Sequence, residues 1–273
     1  MKVIVRPPGE AFRRALSEHP DRGSIDTAAA RRQHGAFVAA LCEAGVDVVA
    51  LPADDDLPDA CFVSDVLITL PPAGDGGAPA ALAVATRPGA PSRRPEVASV
   101  LDVARGLVGP GCRMAAIEPP GTLDAGDVIV FGDRVAIGVS ARTNQAGAEQ
   151  LAGLVRAAGY RARSCPVEGR LHLATWVTVV RPDLLIGVAG GFASLDLAGP
   201  GVAPRHEIAR IELPDSDVVA ANVLPLGGRV FVPSGNPVAT AALRAHGERV
   251  VELDLGEFTK ADGGPTCLVT HVF

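Results

Sequence analysis

The sequence predicts an α/β protein built as a closed or stacked array of one repeated supersecondary unit. Three observations point there. Amphipathic helix patterns recur along the chain, and three of the four stop at a glycine, Gly45, Gly159 or Gly247. Each helix is followed by a glycine and a short strand, in GVDVVALP, GCRMAAIEP, GYRARSCPV and GERVVELDL. The segments DVIVFGDRVAIG, from Asp127, and NVLPLGGRVFVP, from Asn222, align without a gap at an offset of 222 − 127 = 95 residues.

Taken in order, the chain opens on the strand-like KVIVR and a loop from Gly9 to Gly23. The first helix spans Asp26 to Glu43 and gathers Phe37, Val38, Leu41 and Cys42 on one face. A second runs from Pro95 to Leu107 with Val97, Val100, Leu101 and Ala104. A third runs from Asn144 to Ala158 with Leu151, Leu154, Val155 and Ala158. The fourth, Pro237 to His246, is shorter and Ala-rich. Between a unit's strands lies a polar loop, followed by a second strand such as DVLIT from Asp65. The last fourteen residues, KADGGPTCLVTHVF, give a polar turn and then a strand from Thr266 to Phe273. Four copies are counted, and a fifth is expected around Ile208 to Val223, closing against the N-terminal strand. No Pro/Gly/Ser linker or charge block divides them, so residues 1–273 are expected to form one domain.

Composition narrows the function. Apolar residues make up 48% but only ten residues are aromatic, so Val, Leu, Ile and Ala must supply most of the core. A net charge of −6 argues against a nucleic-acid partner, which needs a basic face, and fits a cationic small molecule. No apolar run is long enough to span a membrane, and no signal peptide is expected because Met1 leads straight into a strand. The five cysteines, Cys42, Cys61, Cys112, Cys165 and Cys267, are scattered and form no CxxC pair. Neither a disulfide framework nor a structural zinc site is expected, and a reduced, cytoplasmic protein is.

The polar residues then fall into a pattern. The inter-strand loop carries Asp59 and Asp65 in one copy, Asp124 and Asp127 in the next, His172 in a third and Cys267 in the last. Each alone reads as a cap, a turn residue, a core histidine or a buried thiol. Their recurrence at one position of the unit is harder to reach by chance. If the copies surround an axis, a nucleophile, a base and several carboxylates converge on it.

The sequence resembles the dimethylarginine dimethylaminohydrolase family of the guanidine-modifying superfamily. The motifs that carry the resemblance are PDACFVSD (58–65), TRPGAPSRR (86–94), GTLDAGDV (121–128), ARTNQAG (141–147), LHLAT (171–175), AAN (220–222) and KADGGPTC (260–267). They run in the family's order and cover nearly the whole chain. The resemblance implies a five-bladed α/β propeller, the pentein fold. It also implies hydrolysis of Nω-methylated L-arginine to citrulline and an amine, without a cofactor or metal, by a monomer or homodimer. It makes Cys267 the nucleophile, His172 the general acid/base and Asp124 its acidic partner. Asp65 would bind the guanidinium, Arg93 and Arg142 the α-carboxylate, and Asp59 the α-amino group. Phe62 would line the pocket, and Leu16 would belong to a lid. Asp127 and Asp262 join the expected substrate contacts. So does Ser64, although the family usually has Glu there. A second departure is Ala174, where the family usually has Lys. The stretch PPAGDGGAPA between Asp65 and Arg93 is expected to be a surface hairpin extension.

The chemistry suits these residue types. A guanidinium carbon is a poor electrophile, and carboxylates can hold the cation planar in a near-attack geometry. A thiolate is far more nucleophilic than a hydroxyl near neutral pH, and a histidine can protonate the leaving amine and then activate water. A related hydrolase of arginine or another guanidine is the nearest rival, and paired arginines argue against substrates that lack a carboxylate. A metal-dependent hydrolase could use only Cys267 and His271, with no second ligand pair. A non-catalytic propeller that serves as a binding module would be expected to lack the Cys, His and acid together. A papain-like protease leaves the repeated Asp-bearing loops unexplained.

Overall fold

The computed structural model describes residues 1–72, 81–195 and 208–273. Among them, fifteen strands form five three-stranded sheets of one design. A short antiparallel pair is followed by a helix, and the chain returns in a third strand parallel to the second. One sheet holds β1 (Lys2–Val5) and, after α1 (Thr27–Glu43), β2 (Asp47–Ala50). The next runs β3 (Leu67–Leu70), β4 (Leu82–Ala85), α2 (Glu96–Leu107) and β5 (Arg113–Ala116). The third runs β6 (Val128–Phe131), β7 (Arg134–Val139), α3 (Gln145–Ala157) and β8 (Arg161–Pro166). The fourth is β9 (Val177–Arg181), β10 (Leu184–Gly187), α4 (Ala189–Ser194) and β11 (Ala209–Glu212). The fifth is β12 (Leu224–Leu226), β13 (Arg229–Pro233), α5 (Pro237–Ala245) and β14 (Val250–Leu253). A short α6 (Gly256–Thr259) then leads to β15 (Thr270–Val272). β15 pairs antiparallel with β1, Lys2 opposite Val272 and Ile4 opposite Thr270, and completes the first sheet. The result is a five-bladed α/β propeller.

Burial follows the position of each strand in its blade. Middle strands β4 (LAVA) and β10 (LLIG) are buried throughout and read as unbroken apolar runs, as strands covered on both faces must. Outer strands β2 and β5 expose their ends and are half-buried between. Each helix fills the seam between its own blade and the preceding one. Phe37 and Leu41 of α1 meet Leu226 and Phe231 across the closing seam, and Val100 and Ala104 of α2 meet Ile4 and Leu51. Leu151 and Val155 of α3 likewise meet Ile68 and Val84, and Leu243 of α5 meets Leu184 and Ile186. The cores are therefore shared between blades.

The helix ends follow their sequence signals. The Asp26 side chain accepts hydrogen bonds from the backbone N–H groups of Ala28 and Ala29, and Asn144 accepts from Gly147. Gly45, Gly159 and Gly247 adopt φ of +75°, +87° and +86°, and the residue after each donates to the carbonyl five positions back, closing a Schellman turn.

Two expectations are corrected. The fifth copy is β9–β10–α4–β11; the stretch expected for it contributes β11 and a 3-10 turn, Asp215–Ala221, and β15 closes the ring instead. Its helix is six residues of Ala, Gly, Phe and Ser, too short to show a periodic face. The expected strand from Thr266 begins instead as a 3-10 turn, Pro265–Leu268, with Pro265 starting the turn, and only Thr270–Val272 is strand. Most of the expected hairpin extension lies outside the described residues. Among those described, no helix is long and apolar enough to cross a membrane.

Candidate active site

Each blade's outer strand leads by a loop to the inner strand of the next blade, and every such loop ends in a 3-10 turn: Val63–Val66, Ala125–Asp127, Leu173–Thr175, Asp215–Ala221 and Pro265–Leu268. Successive turns from Pro265–Leu268 round to Asp215–Ala221 lie against one another about the axis. They carry Asp65, Asp124 with Asp127, His172, Asn222 and Cys267 respectively, so the repeat reading does bring the loops together.

Three spaces lie along or beside this axis. An inner cavity of about 20 Å3 is lined by Cys267, His172, Asp65, Asp59, Phe62, Arg93, Arg142, Leu16 and Asp262, with Leu171, Ala261 and Gly263. That volume holds about one water. Above it opens a cleft of about 700 Å3, which shares Leu16, Arg142, Leu171, Asp262 and Gly263 with the inner cavity. Behind the turns is a mostly apolar central channel of about 490 Å3, lined by inner-strand residues such as Leu67, Val128, Val177, Leu224 and Thr270.

His172 Nε2 lies 3.1 Å from Asp124 Oδ2, and Gly89 N donates to Asp124 Oδ1 at 2.9 Å. Burial alone would lower the histidine's pKa, but Asp65 and the hydrogen bond to Asp124 outweigh it and the net shift is upward. Asp124 is held below the usual carboxylate range: burial would raise it, but the bond to His172 and the charges of His172 and Arg93 prevail. Gly126 makes the packing possible, since a Cβ there would come 2.6 Å from His172 Nδ1 and 3.0 Å from Asp65 Oδ1. Burial and the negative charge of Asp65 push the Cys267 thiol up, against donors from Gly264, Thr266 and Asn222. Both shifts run upward, towards the protonated imidazole and the neutral thiol. Cys267 and His271 face different spaces, the inner cavity and the channel, so they do not converge as a ligand pair.

The loop expected to act as a lid is tied down by hydrogen bonds. Leu16 N donates to Asp59 Oδ1 at 3.1 Å, Glu18 N to Asp262 Oδ2 at 2.7 Å, and Ser17 Oγ to the Lys260 carbonyl at 2.9 Å. Leu16 itself is 40% exposed at the boundary between cavity and cleft.

Several expected substrate contacts are placed differently. Arg93 is not one of two equivalent clamps. Its guanidinium is buried, pairs with Asp65 at 2.6 Å and Glu96 at 2.9 Å, and donates to the carbonyls of Asp59 and Phe62. Arg142 makes no side-chain hydrogen bond or ion pair among the described residues and lines both cavity and cleft. Asp127 is fully buried and lines none of these three spaces; it accepts from Ser140 Oγ, Thr143 Oγ1 and Leu173 N, tying three loops together. Asp262, at φ +56°, spends one carboxylate oxygen on the backbone N–H of Glu18. Ser64 points away into the central channel, and so does Ala174, so both departures from the family's pattern sit behind the site.

Sequence reasoning missed Glu96, which neutralises part of Arg93, and gave no role to Asn222 of the AAN motif, whose amide approaches Cys267. The signal for Asn222 was present: the gapless repeat aligns it with Asp127.

No protein-family model matches the chain. It is 34% identical over 268 residues to N(G),N(G)-dimethylarginine dimethylaminohydrolase of Pseudomonas aeruginosa, covering 97% of each chain. It is also 34% identical over 268 residues to the protein of that name from Streptomyces coelicolor, covering 98% of this chain and 95% of the other. Among solved structures, it matches a cysteine-to-serine variant of the Pseudomonas aeruginosa enzyme complexed with citrulline. That match has a TM-score of 0.84 at 32% identity, over 98% of this chain and 97% of the other. The propeller, the converging loops and these matches together make the chain a member of the dimethylarginine dimethylaminohydrolase family of guanidino C–N hydrolases.

Proposed function

We propose that the chain, acting as one catalytic domain in the cytoplasm, hydrolyses Nω-methylated L-arginine to L-citrulline and dimethylamine or methylamine through a covalent intermediate on Cys267. The observation that carries this reading is one small cavity lined by Cys267, His172 and the carboxylates of Asp59 and Asp65, with Asp124 buried against His172 at 3.1 Å. The related enzyme complexed with citrulline supports the product class.

The geometry suggests the order of events. The guanidinium brings a positive charge beside Asp65, offsetting the charge that disfavours the thiolate, and the thiol proton leaves to solvent as the cation arrives. The sulfur attacks the guanidinium carbon. His172, in its protonated form and oriented by Asp124, gives its proton to the alkylated nitrogen, and the C–N bond breaks to release the amine and leave a thiouronium on Cys267. The now neutral His172 takes a proton from water, hydroxide adds to the same carbon, and the C–S bond breaks. The ureido product leaves, the sulfur regains a proton and the released amine is protonated in solution. In this reading Arg142 receives the α-carboxylate and the second oxygen of Asp59 the α-amino group, which fits an arginine that lines both cavity and cleft. The inner cavity is too small for an amino acid of this size, so entry requires Leu16 and its neighbours to lift.

The test is incubation with asymmetric dimethylarginine, monomethylarginine and arginine, assaying both ureido product and released amine, alongside Cys267→Ala. Wild type should release citrulline and the alkylamine from the methylated substrates, and Cys267→Ala should retain less than about one part in a thousand of the rate. Release of ammonia from arginine in preference to alkylamine, or an active Cys267→Ala enzyme, would overturn the reading.

A further inference from the structure

The fifth loop contributes a residue for which the mechanism above has no role. Asn222 ends the Asp215–Ala221 turn and is 7% exposed. Its Oδ1 accepts from the backbone N–H of Thr266 at 3.2 Å and from Thr266 Oγ1 at 2.9 Å. A backbone N–H can only donate, so the oxygen must face Thr266 and the amide nitrogen must face the other way. On that side lies Cys267 Sγ, 3.8 Å from Nδ2. The packing that allows this is specific: a Cβ on Gly264 would come 2.5 Å from the Asn222 amide carbon. The same glycine's N–H donates to Sγ at 3.5 Å. The sulfur therefore sits before two N–H donors and shares the cavity with the carboxylate of Asp65.

We propose that Asn222 stabilises the thiolate of Cys267 by donating its amide N–H to the sulfur. A neutral thiol is a weak acceptor and a thiolate a strong one, so the bond gains strength as the nucleophile ionises. It acts on the reactive form more than on the resting one. This also accounts for an amide at this position of the repeat. A carboxylate there, as at the aligned Asp127, would keep the acceptor for Thr266 but turn the donor into a second negative charge against the sulfur.

The proposal rests on Cys267 being the nucleophile but not on any one substrate, so its test does not use methylarginine. The rate of Cys267 alkylation by iodoacetamide is followed against pH, with peptide mass spectrometry separating it from the other four cysteines. Asn222→Asp preserves the contact to Thr266 and removes only the donor, whereas Asn222→Ala removes both. Removing a hydrogen bond to a charged group should shift the alkylation profile of Asn222→Ala upward by about one pH unit or more. The shift for Asn222→Asp should be larger, and the rate near pH 7 should fall about tenfold or more with it. Circular dichroism identifies which variants are folded, and either one suffices. A folded variant whose profile superimposes on wild type would overturn the proposal and reduce Asn222 to a brace for Thr266, even if its turnover were lower. If the wild type releases no amine from methylarginine but the profiles shift, the substrate reading fails and this one stands.

Discussion

At the scale of single residues, the two arginines show how one side-chain type is put to opposite uses. Arg93 is enclosed by Asp65 and Glu96 and by two carbonyls, and its pKa is raised because those charges outweigh its burial. Removing it would strand two buried carboxylates. Glu96, pushed up to about 7 by burial despite Arg93, can take a proton and soften the penalty. Breaking a buried pair typically costs about 3–5 kcal/mol. Arg93→Ala is therefore expected to lose roughly 3 kcal/mol in denaturant unfolding, as well as activity. Arg142→Ala should leave stability within about 0.5 kcal/mol. It should raise KM for methylarginine about tenfold to a hundredfold, the loss of one charge-assisted bond. Near-wild-type unfolding of the Arg93 variant would mean that its pairs matter little to the fold. An unchanged KM in the Arg142 variant would remove the carboxylate contact.

At the scale of elements, the helices and loops were readable and their directions were not. Caps and glycine stops placed α1, α3 and α5 to within a residue because those signals are local hydrogen-bonding requirements. The site loops were readable through the repeat. What failed was facing: Asp65 and Ser64 are neighbours in one tight turn, yet one meets the cavity and the other the channel. A 3-10 turn of four residues has no periodicity from which a face could be read. The pairing of Arg93 with Glu96 was hidden because it crosses from one turn into the next helix. The lid offers a test at this scale. Its contact from Glu18 N to Asp262 is a single hydrogen bond to a charged acceptor. Asp262→Ala should loosen the closed state, raising KM several-fold and speeding proteolysis in the loop from Gly9 to Gly23, with the unfolding midpoint little changed. Unaltered proteolysis would show that this bond is not what holds the lid down.

At the scale of the whole molecule, the ring closes through residues at opposite ends of the sequence. The contact that pairs Lys2 with Val272 joins positions 272 − 2 = 270 apart, while the hairpins of the other four blades, and each blade's helix, are local. Loop-closure entropy makes the local pieces cheap to form early and the distant pairing expensive. The seam filled by α1 also waits for β13, since Phe37 packs on Phe231. Cys267 lies three residues before the closing strand, so the order of folding has a chemical readout. In refolding from denaturant, far-ultraviolet ellipticity should recover before hydrolytic activity, with ring closure setting the slower rate. Activity that returned with the earliest ellipticity would place closure among the first events. The proposed nucleophile is thus expected to be assembled last, after the carboxylates and histidine around it are in position.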